Sequence, residues 1–404
     1  MQDYGNTICF SRKISKPQDL EPPFLPLLRN EPNIFTPNND ITRAEIAYGR
    51  WALPQLLKGL HAENIERCLI AIDSLSNLFH DPEKLYEAVE LKILDRIHEL
   101  LKSAKAIIRE AALIALGIAC NHYVGSDAVI FAEAQSRWDP ENLFESFNVR
   151  DGTTSEDEMD LTASYVKPVD LGRLAIILSD NYASVRYKAA NVVNNISKSW
   201  LGPEGLHENN FIPVLLERAA FEGFQEIQTE VLDALHGCLQ YDQLKALKLG
   251  GMALLSKLLQ NNDSKVRISS ANCIAALAMH PVGKIQAIEL DLLPLLIPLL
   301  FSEDVDELAS AAGCISFITM TTPSKIRAVQ LKIVDRLVFL AGYRISLKLQ
   351  LNAVKALTNI SEATKGRALL LNSYVERIEA IPCDHDETLR RAIQILIKVI
   401  RWLP

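Results

Sequence analysis

Apolar residues along the chain recur three and four positions apart, the spacing that places them on one face of an α-helix. Runs of small and branched residues close on an apolar anchor at Leu75, Leu116, Val193, Leu235, Ile274, Ile315 and Leu357. The steps between anchors are 41, 77, 42, 39, 41 and 42 residues. A period near 40 therefore governs the chain, and the long step holds one period plus roughly 36 further residues, as an insertion between helices would give. Three helices are predicted per period, in a constant order. A short leading helix is expected over 81–90, 241–249, 282–289 and 324–330, and a strongly apolar second one over 93–101, 171–178, 211–217, 252–259, 292–300 and 333–340. A polar turn such as Ser179-Asp180-Asn181 or Asn261-Asn262-Asp263-Ser264 then offers capping oxygens. The long third helix opens with Val185-Arg186 or Val266-Arg267 and runs through alanines such as Ala189, Ala190, Ala271, Ala311 and Ala312, which allow close helix contact. Alternating strand patterns around tight turns are lacking.

The pattern predicts an all-α chain, an armadillo/HEAT-like right-handed α-solenoid of about seven repeats with a C-terminal capping helix. That final helix spans 386–403, with Ile393, Leu396, Ile397 and Ile400 toward the last repeat. Residues 42–404 form the solenoid, and 1–41 read as a Pro-rich extended arm holding six of the 18 prolines. A stretch from about 135 to 167 carries Asp151, Glu156, Asp157, Glu158 and Asp160 without an intervening base. Composition predicts that this acidic insertion is partly disordered.

Hydrophobic residues make up 49% of the chain and the net charge is −8, which supplies a large core and disfavours nucleic acid as a partner. Cys68, Cys120, Cys273 and Cys314 fall in apolar stretches, as reduced thiols do in a reducing compartment. No basic-then-apolar leader is read at the N-terminus, and the longest apolar run, Leu292 to Phe301, is interrupted by Pro294 and Pro298 and too short for a membrane span.

Candidate chemistry is sparse. His98-Glu99-Leu100-Leu101 is followed by Lys102, where a metalloprotease helix needs a second histidine; His98 reads as a surface or groove histidine. Cys383-Asp384-His385-Asp386 has no second ligand pair nearby. Nucleophile elbows, phosphate loops and dinucleotide fingerprints are absent, and the glycines read as punctuation between helices. The expectation is a non-enzyme without metal, cofactor or small-molecule substrate.

Asparagines on third helices can grip the backbone of an extended peptide. Two residues beyond the anchors stand Asn77, Ile118, Asn195, Gly237, Ala276, Phe317 and Asn359, so the ladder is broken. An importin-α-like receptor also sets Trp four residues before each Asn, where this chain has Asp73, Asn191 and Lys355. Such asparagines also cap or bridge neighbouring helices. Candidate partner contacts are Asn77, Asn195 and Asn359, with Trp138, Phe144 and Phe147 on the insertion and Phe24 and Phe35 on the arm.

Specific residues carry a further resemblance. Ile46-Ala47-Tyr48-Gly49 precedes Ala52-Leu53, and His80-Asp81-Pro82-Glu83 precedes Tyr86-Glu87-Ala88. In order follow Val124-Gly125, Phe224-Gln225-Glu226, Cys238-Leu239-Gln240, Ala311-Ala312-Gly313 with Phe317, Leu351-Asn352-Ala353 with Lys355-Ala356-Leu357-Thr358, and Gly366-Arg367. From about Thr42 to Pro404 the chain resembles the radial spoke head 14 homologue family, and non-core matches such as His80 and Gln225 exceed what a buried repeat face constrains. The resemblance implies a non-catalytic armadillo scaffold of the radial spoke in motile cilia and flagella. It implies other radial spoke proteins as partners, and cytoplasm, cytoskeleton and axoneme as location. The alternative is a soluble armadillo adaptor binding peptide cargo in transport or signalling. The arm and the insertion depart from the family pattern, and their partners do not carry over.

Overall fold

The computed structural model describes residues 51–130, 171–383 and 386–402. The chain divides into Met1–Ile46 and Ala47–Pro404. The first unit, with Phe24 and Phe35, and the insertion, with Trp138, Phe144 and Phe147, lie outside the described residues.

Within Ala47–Pro404 the described residues are helical, without strands. Of the helical repeat units within Ala47–Pro404, the first gives α1 (Ala52–Leu60) and α2 (Ile65–Leu78), and the second gives α3 (Pro82–Glu90), α4 (Ile93–Leu100) and α5 (Ala106–Ala119). The third begins with α6 (Tyr123–Ile130) and resumes at α7 (Gly172–Ile177) and α8 (Ala183–Lys198). Next come α9 (Gly202–Glu208), α10 (Phe211–Phe221) and α11 (Gln225–Cys238), then α12 (Gln243–Lys248), α13 (Gly251–Leu258) and α14 (Ser264–Leu277). The sixth unit holds α15 (Pro281–Glu289), α16 (Leu293–Leu296) with a 3₁₀ turn Pro298–Phe301, and α17 (Val305–Ile318). The last two are α18 (Thr322–Gln330), α19 (Val334–Ala341) and α20 (Leu347–Ser361), then α21 (Thr364–Ser373), α22 (Val375–Glu379) and α23 (Glu387–Ile400). The terminal cap is thus the third helix of an eighth unit. It buries Leu389, Ile393, Leu396 and Ile400, while Ile397 is half-buried.

Local chemistry sets the boundaries. Asp263 Oδ1 accepts from Lys265 N and Val266 N at 2.8 and 3.2 Å, capping α14 in the turn the sequence marked. Asp81 caps α3 ahead of Pro82, whose missing N–H costs nothing in a first turn. Pro298 divides the apolar run Leu292 to Phe301, because its ring clashes with a preceding carbonyl and it donates no hydrogen bond.

Each third helix packs on the next, from α2 to α23, and each second helix backs its own third helix. All seven repeat anchors are fully buried, with 0% exposure. Close approach falls to glycines. A Cβ on Gly202 would lie 1.6 Å from Ile196 O, on Gly283 1.9 Å from Leu277 O, on Gly366 2.1 Å from Ile360 O and on Gly125 2.2 Å from Ala119 O. These glycines let a leading helix rest on the end of the preceding third helix. They are packing positions as well as punctuation, while Gly250, at φ 78°, keeps the punctuating role between α12 and α13. His98 is likewise corrected, being 8% exposed within α4 rather than on the surface. Cys68, Cys120, Cys238, Cys273 and Cys314 are all buried. Burial pushes the Cys120 and Cys238 thiols up to about 12.

Units are latched by the fourth residue of the third helix. Arg109, Arg186 and Arg267 each donate Nη1 to two carbonyls of the preceding turn: Ser103 and Ala104, Asp180 and Asn181, Asn261 and Asn262. Each then forks onto a carboxylate of the following unit: Arg109 onto Asp180 at 2.9 and 3.0 Å, Arg186 onto Glu222 at 2.9 and 3.0 Å, and Arg267 onto Glu307 at 2.5 and 3.0 Å. Two parallel N–H···O⁻ bonds fix orientation as well as distance. Gln228 and Gln350 take the same place and donate to Ala219 O and Ala341 O at 2.7 and 3.0 Å. The Arg109–Asp180 pair joins the second and third units directly, so the insertion between α6 and α7 leaves the stack of third helices continuous.

Candidate partner-binding face of the third helices

A third helix is flanked by its neighbours on two sides and backed by its own second helix, which leaves one face open. Residues at i, i+4, i+7 and i+11 share that face. They are Glu66, Ile70, Asp73 and Asn77 on α2, and Ile107, Ala111, Ile114 and Ile118 on α5. On α8 they are Ser184, Lys188, Asn191 and Asn195, on α11 Glu226, Glu230, Asp233 and Gly237, and on α20 Lys348, Asn352, Lys355 and Asn359. Character thus changes along the array, from an isoleucine stripe through amides and carboxylates to lysines.

Polar rungs tie these rows together. Asn195 Nδ2 donates to Gly117 O at 3.0 Å, and Asn359 Nδ2 to Ser316 O at 2.7 Å. Asn352 Nδ2 reaches Ala309 O at 2.8 Å, Ser269 Oγ reaches Asp233 at 2.6 Å, and Asn194 Nδ2 reaches Glu230 at 2.8 Å. Asn195 and Asn359, singled out as partner contacts, therefore spend a donor on the preceding third helix. Both remain half-exposed, and Asn77 lies half-exposed on α2. Glycines let the helices approach: a Cβ on Gly313 would come within 2.8 Å of the Asn352 Nδ2 rung, and one on Gly237 within 2.3 Å of Ser197 Oγ on the preceding third helix.

Burial lowers the pKa of His236 on α11, and the charge of Lys348, three units on, lowers it further against the opposing pull of Asp233. Burial raises the Tyr187 phenol, and Glu230 and Glu226 add to the shift. The open apolar side chains Ile70, Ile107 and Ile114 are 62, 57 and 38% exposed. Sequence reading missed them, since the rows were followed for asparagine at the position two beyond each anchor and for its companion two before it at three anchors, not for apolar side chains; Ile70, Ile107 and Ile114 lie five, nine and two before their anchors.

No family model matches the chain. Solved structures do. An engineered protein superposes with a TM-score of 0.61 at 21% identity, covering 87% of this chain and 89% of its own. A designed armadillo repeat protein gives 0.51 at 17% identity, with coverage of 66% and 99%. Another, solved with the peptide (KR)4, gives 0.52 at 18% identity over 66% and 99%. The fold is an armadillo-type α-solenoid.

Proposed function

We propose that this chain is a non-catalytic armadillo scaffold that binds protein partners, and that it serves in the radial spoke of motile cilia. The open third-helix face supports the scaffold reading. It is long, changes chemistry from unit to unit and is held rigid by rungs and latches, the properties that let solenoids present extended surfaces. The radial-spoke reading rests on the collinear resemblance from Thr42 to Pro404. Cross-linking mass spectrometry on salt-washed motile axonemes tests it. Links from this chain's lysines to spoke subunits are expected. Loss of the chain to the soluble fraction, with links to varied soluble proteins, would leave the adaptor reading, which the likeness to a designed protein carrying (KR)4 favours.

A further inference from the structure

Among the described residues, the isoleucine stripe of α5 packs against no neighbouring helix over much of its surface. Ile107 and Ile114 stand 57 and 38% exposed, Ile70 of the neighbouring α2 stands 62% exposed, and Ile118 continues the row half-buried. The equivalent rows of α8, α11 and α20 are polar, so stacking does not demand aliphatic side chains there. Four isoleucines on two adjacent helices form an apolar strip open to water, the kind of surface that marks a contact site. Ile107 and Ile114 are two helical turns apart, about 10.5 Å at 1.5 Å per residue. That is the pitch at which a second helix presents residues i and i+7.

The surroundings specify charge. On α2 the strip is bordered by the exposed Glu66 and Asp73 in its own row. Glu110 of α5 already accepts Ser184 Oγ at 3.1 Å. On the other side α8 holds no carboxylate and carries Lys188 in its row, so the acidic rim of the strip lies on the α2 side, where Glu66 and Asp73 stand exposed.

Resting on the scaffold reading above, we propose that the third-helix face of the first two units seats a basic amphipathic helix of a partner protein. Its aliphatic side lies on Ile70, Ile107, Ile114 and Ile118, and its Lys and Arg side chains reach Glu66 and Asp73 on the α2 flank. Opposite charges at the rim set orientation and speed encounter more than they add affinity, so the aliphatic contact carries most of the binding.

The test uses the full chain and a fluorescein-labelled peptide of about 18 residues, long enough to hold a helix, with Leu at i, i+3, i+4 and i+7 and Lys elsewhere. Two controls accompany it: a scrambled peptide of the same composition and one with Glu in place of Lys. Fluorescence anisotropy should show binding of the patterned Lys peptide, with weaker binding of both controls. Ile107→Ser with Ile114→Ser should weaken binding about tenfold or more and lower the thermal midpoint only slightly, because Ile107 is mostly open and Ile114 partly so. Glu66→Gln with Asp73→Asn should weaken it several-fold at low salt and little at high salt. Equal binding of patterned and scrambled peptides, undiminished binding by the isoleucine variant, or absence of binding overturns the proposal. Axonemal cross-links to spoke subunits through other faces would still uphold the scaffold reading, so the two fail separately.

Discussion

Gly283 shows how much of this fold turns on a missing methyl group. The carbonyl of Leu277 occupies the place a Cβ would take, 1.9 Å away, and both atoms belong to backbone that neighbouring helices hold. Gly283→Ala should destabilise the chain by about 2–3 kcal/mol, near the upper range for overpacking, read as a shift in the urea midpoint without a change in slope. Glu222 makes a different single-residue case. Burial pulls its carboxyl upward, but bonds from Arg186, the Phe224 N–H and Arg218 together outweigh that and hold it below the ordinary value of 4.5. A depressed folded pKa contributes stability that is complete above the unfolded value and is lost as pH falls through the folded one. Thermal midpoints followed downward from neutral pH should therefore fall less steeply below pH about 4.5 in Glu222→Gln than in the parent chain. An acid limb of unchanged slope would show that Glu222 does not govern it.

Between elements, the recurring device is the arginine fork. Glu307 is a buried carboxylate, so Arg267→Met strands it and should cost about 3–5 kcal/mol, whereas Arg267→Met with Glu307→Met should recover most of the loss. Chemical denaturation of both variants distinguishes a latch from a spare ion pair. The sequence displayed Val185-Arg186 and Val266-Arg267 as helix openings but gave no partner for either. Arg109 finds Asp180 71 positions away, a distance only the insertion explains. Anchors such as Leu235 and Ile274 were legible because burial of one face imposes a period. The open isoleucines of α5 were not, since their meaning depends on which face the neighbouring helices leave uncovered. The asparagines fall between: Asn195 and Asn359 were visible as a motif, while their carbonyl partners on the preceding helix depend on how closely glycines let the helices approach.

For the molecule as a whole, continuity of the stack is separable from continuity of the chain. Helix α5 meets α8 and the turn before it through Asn195–Gly117 and Arg109–Asp180, while in the chain the insertion falls between α6 and α7. Replacing residues 135–167 with a short Gly-Ser linker should therefore leave the calorimetric midpoint within about 2 °C, since closing a loop of moderate length changes entropy only slowly. A large drop would assign the insertion a share of the core.

The buried thiols have a consequence for kinetics. Cys68, Cys120, Cys238, Cys273 and Cys314 sit on the first, second, fourth, fifth and sixth units, and Cys383, near the C-terminal end, is partly exposed. A thiol shielded from solvent and held protonated reacts with an alkylating reagent only when its surroundings open. In a one-dimensional array, terminal units have one neighbour and fray first. Timed alkylation with mass spectrometry should modify Cys383 at once, Cys68 next and Cys273 last, and equal rates at all buried sites would mean that the array opens as one block. The chain therefore carries its own clock for the order in which its units come apart.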